Sequence, residues 1–523
     1  MGQHWISFYL LVVCVHLSYQ RSIPNATTYR AAVVEYPSRS LTNSSDTMNE
    51  NSDVYVRFIT TAARDNVDII VFPEDGLTTS SLPGRDKMGD WTTVIPSASD
   101  NCTPCYENTM EISEILKKIS CAASNNEIYV VINIAEKVTC TSEPCPKDKV
   151  FYYNTNVVFD RTGKIIAKYR KTNLFVTEVN KFDVTKIPEI VTFDTDFGVK
   201  FGTFICFDIL FDEPALNLTR DFQVTDIVYP TAWHSEVPFL TAIQTQAGWS
   251  FAEDVNLLAA GYNRPNVGHV GSGIYLGRKG IGKAIMPTTG HEEMLIFEVP
   301  KIKKETRYRT NHDHLDVKEQ EAKLYYHRKK NVNDELLKKW EDNTITDDKI
   351  LLLHEDLSNY YTYPLEKNIT ELSLCASDFC CNFKVEIIKV DSNTKYRLAV
   401  FNGIRRYFTI EANLSVCGII QCSNDSVSSC GSLQESEVVF GNIEIEATFE
   451  NYENILIMPS TLNSNLLPLK NWTFYELTRD DYVSLKYVSM SLKNNINNLV
   501  TFGIFSRNFN TENANKASFY NVT

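Results

Sequence analysis

The 523-residue sequence has little that would bind it to a nucleic acid or hold it in a bilayer. Lys and Arg total 51 against 65 acids, a formal charge of −14, and basic runs such as KIKK (301–304) and HRKK (327–330) sit among acids. Phosphate binding rests on a positive face, so this balance argues against a nucleic-acid partner. Beyond residue 17, no apolar run approaches the roughly twenty residues that a membrane helix needs. The CxxC at Cys102–Cys105 lacks a second CxxC or a histidine pair at zinc spacing, so no metal site is expected. Internal repeats and low-complexity tracts are also missing, which excludes a repeat array.

What is present describes a globular protein of more than one core. Hydrophobic residues make up 43% and charged residues 22%, and the length suits two domains. ISFYLLVVCVHL (6–17) has the length of a signal-peptide core, although no Lys or Arg precedes it. Residues 1–22 are assigned to that signal, with cleavage expected between Ser18 and Pro24. Asn-x-Ser/Thr acceptors follow at Asn25, Asn43, Asn101, Asn217, Asn368, Asn413, Asn424, Asn471 and Asn521. The ending TENANKASFYNVT lacks the apolar tail of a lipid-anchor signal, so a secreted, extracellular protein without a membrane anchor is expected.

The 13 cysteines fit an oxidising compartment. Cys14 leaves with the signal. Cys102, Cys105, Cys121, Cys140 and Cys145 form an early cluster whose CxxC is read as disulfide material, and the odd number leaves one cysteine unpaired or paired outside the cluster. Cys375, Cys380, Cys381, Cys417, Cys422 and Cys430 form a late cluster that can close bridges in many pairings. Cys206 belongs to neither group. On residue type alone it is a buried hydrophobe, half of a disulfide, or a nucleophile.

Residues 23–305 alternate short apolar strands with helical-length amphipathic runs, which predicts an α/β layered sheet. RAAVVEYP, DIIVFPEDG and EIYVVINIAEKV read as strands; NSDVYVRFITTAARDNV and NTMEISEILKKISCAASNN read as helices. YNTNVVFDRTGKIIAKYRK reads as a hairpin turning at Thr162-Gly163. A charged linker is expected over 306–335. From 336 to 523, runs such as NFKVEIIKV and VVFGNIEIEATF predict a β-rich domain stapled by the late cysteines.

Three segments of the first half deliver a reactive group at or near the end of an apolar strand. DIIVFPEDG carries Glu74, KIIAKYRKTNLF carries Lys171, and FGTFICFDIL carries Cys206. In a layered α/β fold such strand ends converge. A carboxylate can take the thiol proton, a thiolate can attack a carbonyl, and a fixed cation can stabilise the oxyanion that forms. Each residue also has a plain alternative: a capping or solvated glutamate, one lysine of a basic patch, and a core cysteine.

VFPEDG, YRKTNLF and GTFICFDILFDEPA, in this order, resemble the nitrilase superfamily, and YNTNVVFDRTGKIIAKYRKTNLF, IVYPTAW, GSGIYLG, DFCCNF and CGIIQC are similar to its vanin and biotinidase branch. The resemblance implies an αββα sandwich followed by a smaller β-rich base domain. It implies Glu74 as general base, Lys171 as oxyanion stabiliser and Cys206 as nucleophile, with Glu178 in support and Trp233, Gly271 and Ser272 on the substrate side. The expected reaction is hydrolysis of a linear, non-peptide, small-molecule amide through a cysteine thioester, with no metal or organic cofactor. Vanins cleave pantetheine and biotinidase cleaves biocytin, so a pantetheinase is the first expectation and a biotinidase the second. A secreted scaffold of the same fold without turnover is the remaining alternative. A papain-like pairing would need a histidine in a supporting context, and none, His234 included, has one.

Overall fold

A computed structural model describes residues 21–302, 350–407, 410–450, 454–479 and 485–509. The linker expected at 306–335 lies outside the described residues, as do most of the signal segment (1–20) and Asn521.

Strict alternation along the first strands explains the layering. In β1 (Thr28–Glu35), Ala31 and Val33 face one core and Ala32 and Val34 another, all four fully buried. The strand therefore lies between two layers. Its sheet continues through β2 (Ile69–Val71), β3 (Tyr129–Thr139), β4 (Val150–Phe159) and β5 (Ile165–Arg170). A second sheet holds β6 (Thr192–Asp194), β7 (Lys200–Thr203), β8 (Asp226–Thr231), β10 (Asn256–Gly261), β11 (Ser272–Leu276) and β12 (Ile281–Ile285). β9 (Glu236–Val237) stands apart, and β13 (Glu293–Pro300) returns to pair antiparallel with β1. Val33, Val71 and Val131 of the first sheet pack on Phe201, Val228 and Leu258 of the second.

Helices cover the outer faces. α1 (Ser44–Arg64) is capped by Asn43, whose side chain accepts from Asp46 N, and it packs with α2 (Glu114–Asn126) on the first sheet. The helix expected from residue 108 begins only at Glu114, because the Ser113 hydroxyl accepts from Leu116 N and sets the start. On the second sheet, beyond the short α3 (Asn217–Arg220), lies α4 (Ala242–Glu253). It is buried around nearly its whole circumference, since the β-rich half covers its far side.

That half contains two five-stranded antiparallel sheets among its described residues. Residues Phe379–Lys389 alternate buried and exposed almost without exception, as expected of a sheet with one wet face. The αββα sandwich followed by a β-rich unit is thus the architecture that forms.

The contact between the halves is close. A Cβ on Gly248 of α4 would lie 2.4 Å from the Pro459 carbonyl oxygen, a backbone atom that cannot swing aside. Gly248→Ala is expected to destabilise the protein by about 1–3 kcal/mol through overpacking, read as a lower melting temperature.

Disulfides join Cys105–Cys121, Cys140–Cys145, Cys375–Cys380, Cys381–Cys417 and Cys422–Cys430. The leftover early thiol is Cys102, which is buried in the core beneath α2 and free, so only half of that CxxC is disulfide material. Asn25, Asn43, Asn101, Asn368, Asn424 and Asn471 are exposed, while Asn217 and Asn413 are half-buried. Among the described residues, no helix is long and apolar enough to cross a membrane.

Candidate active site

Four strand ends meet at one cleft. Glu74 follows β2, Lys171 follows β5, Cys206 lies just beyond β7, and Ala232 follows β8. The cleft, counted with its open mouth, spans about 660 Å³, and Glu74, Lys171, Glu178, Cys206 and Trp233 all line it.

Lys171 is the hub. Its Nζ donates to Glu74 Oε1 at 2.7 Å and to Glu178 Oε2 at 2.6 Å, and its side chain is 1% exposed. Burial alone would lower its pKa, but the Glu178 and Glu74 carboxylates outweigh burial and hold it well above the ordinary lysine value. The lysine therefore stays cationic. Asn154, from the middle of β4, donates to Glu74 Oε1 at 2.8 Å and to Glu178 Oε1 at 2.7 Å. Asn133 in turn donates to Asn154 Oδ1 at 2.6 Å and accepts from Asp75 N at 3.0 Å. Ala232 N donates to Glu74 Oε2 at 2.8 Å, and Phe175 N donates to Glu178 Oε2 at 2.7 Å. Every contact on the two carboxylates fixes their orientation.

Cys206 does not sit on a strand. β7 ends at Thr203, and Cys206 opens a single helical turn, Cys206–Leu210, with a φ of +45°. This left-handed conformation is costly for a residue with a Cβ and persists only where its surroundings hold it. Tyr229 donates to the Cys206 carbonyl at 2.8 Å. Asp208 accepts from Ile205 N at 3.0 Å, from Tyr169 Oη at 2.7 Å and from Asn173 N at 2.8 Å, clamping the turn. Burial pushes the Asp208 carboxyl up to about 6 even so. From the β-rich half, Arg507 donates to the Leu210 carbonyl at the turn's end.

Burial, and then the Glu74 charge, push the Cys206 thiol well above its ordinary pKa, with Lys171 acting in the opposite direction. The resting group is a neutral thiol. A neutral thiol beside a fixed carboxylate and a buried cation can attack a carbonyl if its proton leaves as the bond forms.

The other expected residues divide. Trp233 lines the cleft, its Nε1 donating to the Leu240 carbonyl at 2.9 Å. Gly271 N donates to Glu35 Oε1 at 3.0 Å and the Ser272 hydroxyl contacts Glu35 Oε2, so both meet a carboxyl that is 0% exposed at the end of β1. Burial raises Glu35 to about 8, and those hydrogen bonds only partly offset it. Between its ordinary pKa of 4.5 and about 8 the folded chain holds a proton that the unfolded chain releases. Stability is therefore lost as pH rises through that window, at about 1.4 kcal/mol per unit. Glu35→Gln keeps the hydrogen-bonding shape and is expected to remove this slope in melting curves from pH 5 to pH 8.

Three groups at the site were not anticipated. Asn154 carried a signal, being one of three consecutive polar residues in the otherwise apolar strand YNTNVVF. Asp75 lines the cleft with a pKa held well above the carboxylate range by burial and by Glu74. His269 pairs with His234, Nε2 to Nε2 at 2.6 Å; burial lowers both, which leaves a neutral pair in the cleft wall. Nothing in the spacing of 234 and 269 suggested that contact.

Comparison with known proteins gives the family. Residues 30–245 match the model of the carbon-nitrogen hydrolase family, and residues 350–512 match the vanin C-terminal domain. The chain is 34% identical to vanin-like protein 1 of Drosophila melanogaster, over 97% of this chain and 91% of that protein. It is 32% identical to human pantetheinase, covering 84% of this chain and 82% of the relative. Bovine biotinidase is also 32% identical, covering 89% and 86%. The chain therefore belongs to the carbon-nitrogen hydrolases, in the vanin branch of the nitrilase superfamily, and is an amidohydrolase.

Proposed function

We propose that this amidohydrolase is secreted and cleaves pantetheine to pantothenate and cysteamine through a thioester on Cys206. The observation that carries the mechanism is the 2.7 Å contact of Lys171 Nζ with Glu74 Oε1 in the cleft that holds the free Cys206 thiol. Glu74 takes the thiol proton as Sγ attacks the amide carbonyl carbon, and the Lys171 ammonium stabilises the oxyanion. Collapse breaks the C–N bond, and the leaving amine takes its proton from Glu74. Glu74 then deprotonates a water that attacks the thioester, releasing the acid and restoring the thiol. Glu178 and Asn154 position Lys171 and Glu74 without touching the reacting atoms. Pantetheine as substrate is supported by the relatives named pantetheinase. Secretion is supported by the disulfides, which suit an oxidising compartment.

The test is amine release from pantetheine and from biocytin, side by side, by the wild type and by Cys206→Ala. Cysteamine release that vanishes in the variant supports the reading. Preference for biocytin makes the chain a biotinidase instead. Release from neither, by a folded protein, sinks the pantetheine assignment.

A further inference from the structure

The cleft wall is not built by the sandwich alone. Leu353 and Tyr407, both from the chain beyond the linker, line it together with Glu236 and the residues described above. β14 (Leu353–His354) pairs parallel with β9, and Leu353 N donates to the Ser235 carbonyl at 2.9 Å. This brings the start of the β-rich half to the residues that follow Trp233.

Tyr407 has a polar atom without a use in the fold. Its ring packs edge-to-face on Phe207, the neighbour of Cys206, with centroids 5.7 Å apart. Its hydroxyl is buried and has no hydrogen-bond partner among the described residues. A buried unpaired hydroxyl is costly, and on a residue that lines a cleft it can be satisfied by a ligand.

Arg405, two residues earlier, explains how a carboxylate is held nearby. Its guanidinium lies 4.4 Å from the Tyr407 ring centroid and donates to Glu236 Oε1 at 2.5 Å. It also lies 3.1 Å from Glu355 Oε1, which accepts from Tyr360 Oη at 2.8 Å. Arg405 and Glu236 are 15% and 17% exposed at their side chains, and Glu355 only 4%. One cation thus tethers two carboxylates, and the one facing the cleft is Glu236. Neutralised by Arg405, Glu236 is suited to accept hydrogen bonds from neutral donors.

We propose that Tyr407 and Glu236, the latter positioned by Arg405, form the specificity end of the cleft and hydrogen-bond a hydroxyl-bearing acyl arm of the substrate. This rests on the pantetheine reading: the leaving cysteamine is a two-carbon thiol, whereas the acyl arm carries hydroxyls and a second amide. The β-rich half then shares in selecting the substrate, through Tyr407 and Arg405, while the sandwich performs the chemistry.

The experiment compares two amides of the same leaving amine: pantetheine, and the N-(2-mercaptoethyl) amide of an unbranched fatty acid of matching length. Tyr407→Phe keeps the ring and is expected to raise KM for pantetheine about tenfold, the loss of one hydrogen bond to a neutral group, with kcat unchanged. The fatty amide should be unaffected. Arg405→Ala should raise KM for pantetheine similarly, and Arg405→Lys should recover part of the loss. Equal loss for both amides, or no loss for either, overturns the inference. A second readout is independent of turnover: protection of Cys206 from iodoacetamide by pantothenate and by the matching fatty acid. If the wild type cleaves neither amide, the pantetheine reading fails, and this protection decides the inference alone. Stronger protection by pantothenate that disappears in Tyr407→Phe supports it; equal protection, or none, overturns it.

Discussion

Cys206→Ala is expected to abolish amide hydrolysis, lowering kcat by roughly 10⁴-fold or more, as removal of a nucleophile does in other acyl-transfer enzymes. The substitution suits the purpose because it changes little else. Cys206 has a φ of +45°, and alanine, which has the same Cβ, bears the same backbone cost. The Tyr229 and Asp208 contacts that clamp the turn involve backbone atoms of 205–206 and other side chains, not Sγ. The variant should therefore melt within a few degrees of the wild type while losing turnover. Peptide mapping after iodoacetamide treatment separates this thiol from Cys102, the other free cysteine among the described residues, which is packed in a core. Full activity in a folded Cys206→Ala protein would falsify the thioester mechanism.

Lys171→Gln should damage both chemistry and fold. Loss of one oxyanion donor commonly costs about 10²–10³ in kcat, and the charge of this lysine acts on the thiol. It also balances Glu74 and Glu178, whose carboxylates lie within 2.7 Å of its Nζ. Removing one partner of a buried ionic cluster costs on the order of 3–5 kcal/mol, because the remaining charges are left without compensation. The sign of the pH dependence follows. In the wild type, Lys171 has a pKa above its ordinary 10.5, so its contribution is fully present at every pH below that value and is lost only at more alkaline pH. In the variant, the two carboxylates favour their neutral forms in the fold, so stability falls as pH rises above the ordinary carboxylate range. The gap in melting temperature between wild type and variant should thus be wider at pH 8 than at pH 5. Adding Glu178→Gln to Lys171→Gln should narrow that gap, since the second change removes one stranded charge. A gap independent of pH would show that Lys171 does not balance these carboxylates.

Parts of this site were legible because reactive residues stand out against apolar strands. Glu74, Lys171 and Cys206 each follow an apolar run such as DIIVFP or FGTFI; those before Glu74 and Cys206 form parallel strands, whose ends gather ligands, while Lys171 follows the antiparallel edge strand β5. The helix start at Ser113 and the turn at Cys206 were less legible. A side-chain cap and a positive φ are set by neighbours, not by apolar periodicity. Gly271 and Ser272 read as substrate-side residues only through the family resemblance of GSGIYLG. Their partner, however, is the buried Glu35, some 236 residues earlier in the chain.

By itself, the order of apolar runs determined the layered α/β class and the β-rich second half, and it offered Glu74, Lys171 and Cys206 as candidates, because strand periodicity and strand ends are local properties. The tertiary structure alone decided which groups touch. Asn154 bridging Glu74 and Glu178, His234 paired with His269, and Arg405 reaching Glu236 all join residues from separate strands or halves of the chain. Such contacts depend on register and on the packing of one sheet against another, and burial makes their geometry matter. Among buried groups an ammonium between two carboxylates stays charged, a thiol stays protonated, and an unpaired hydroxyl is costly.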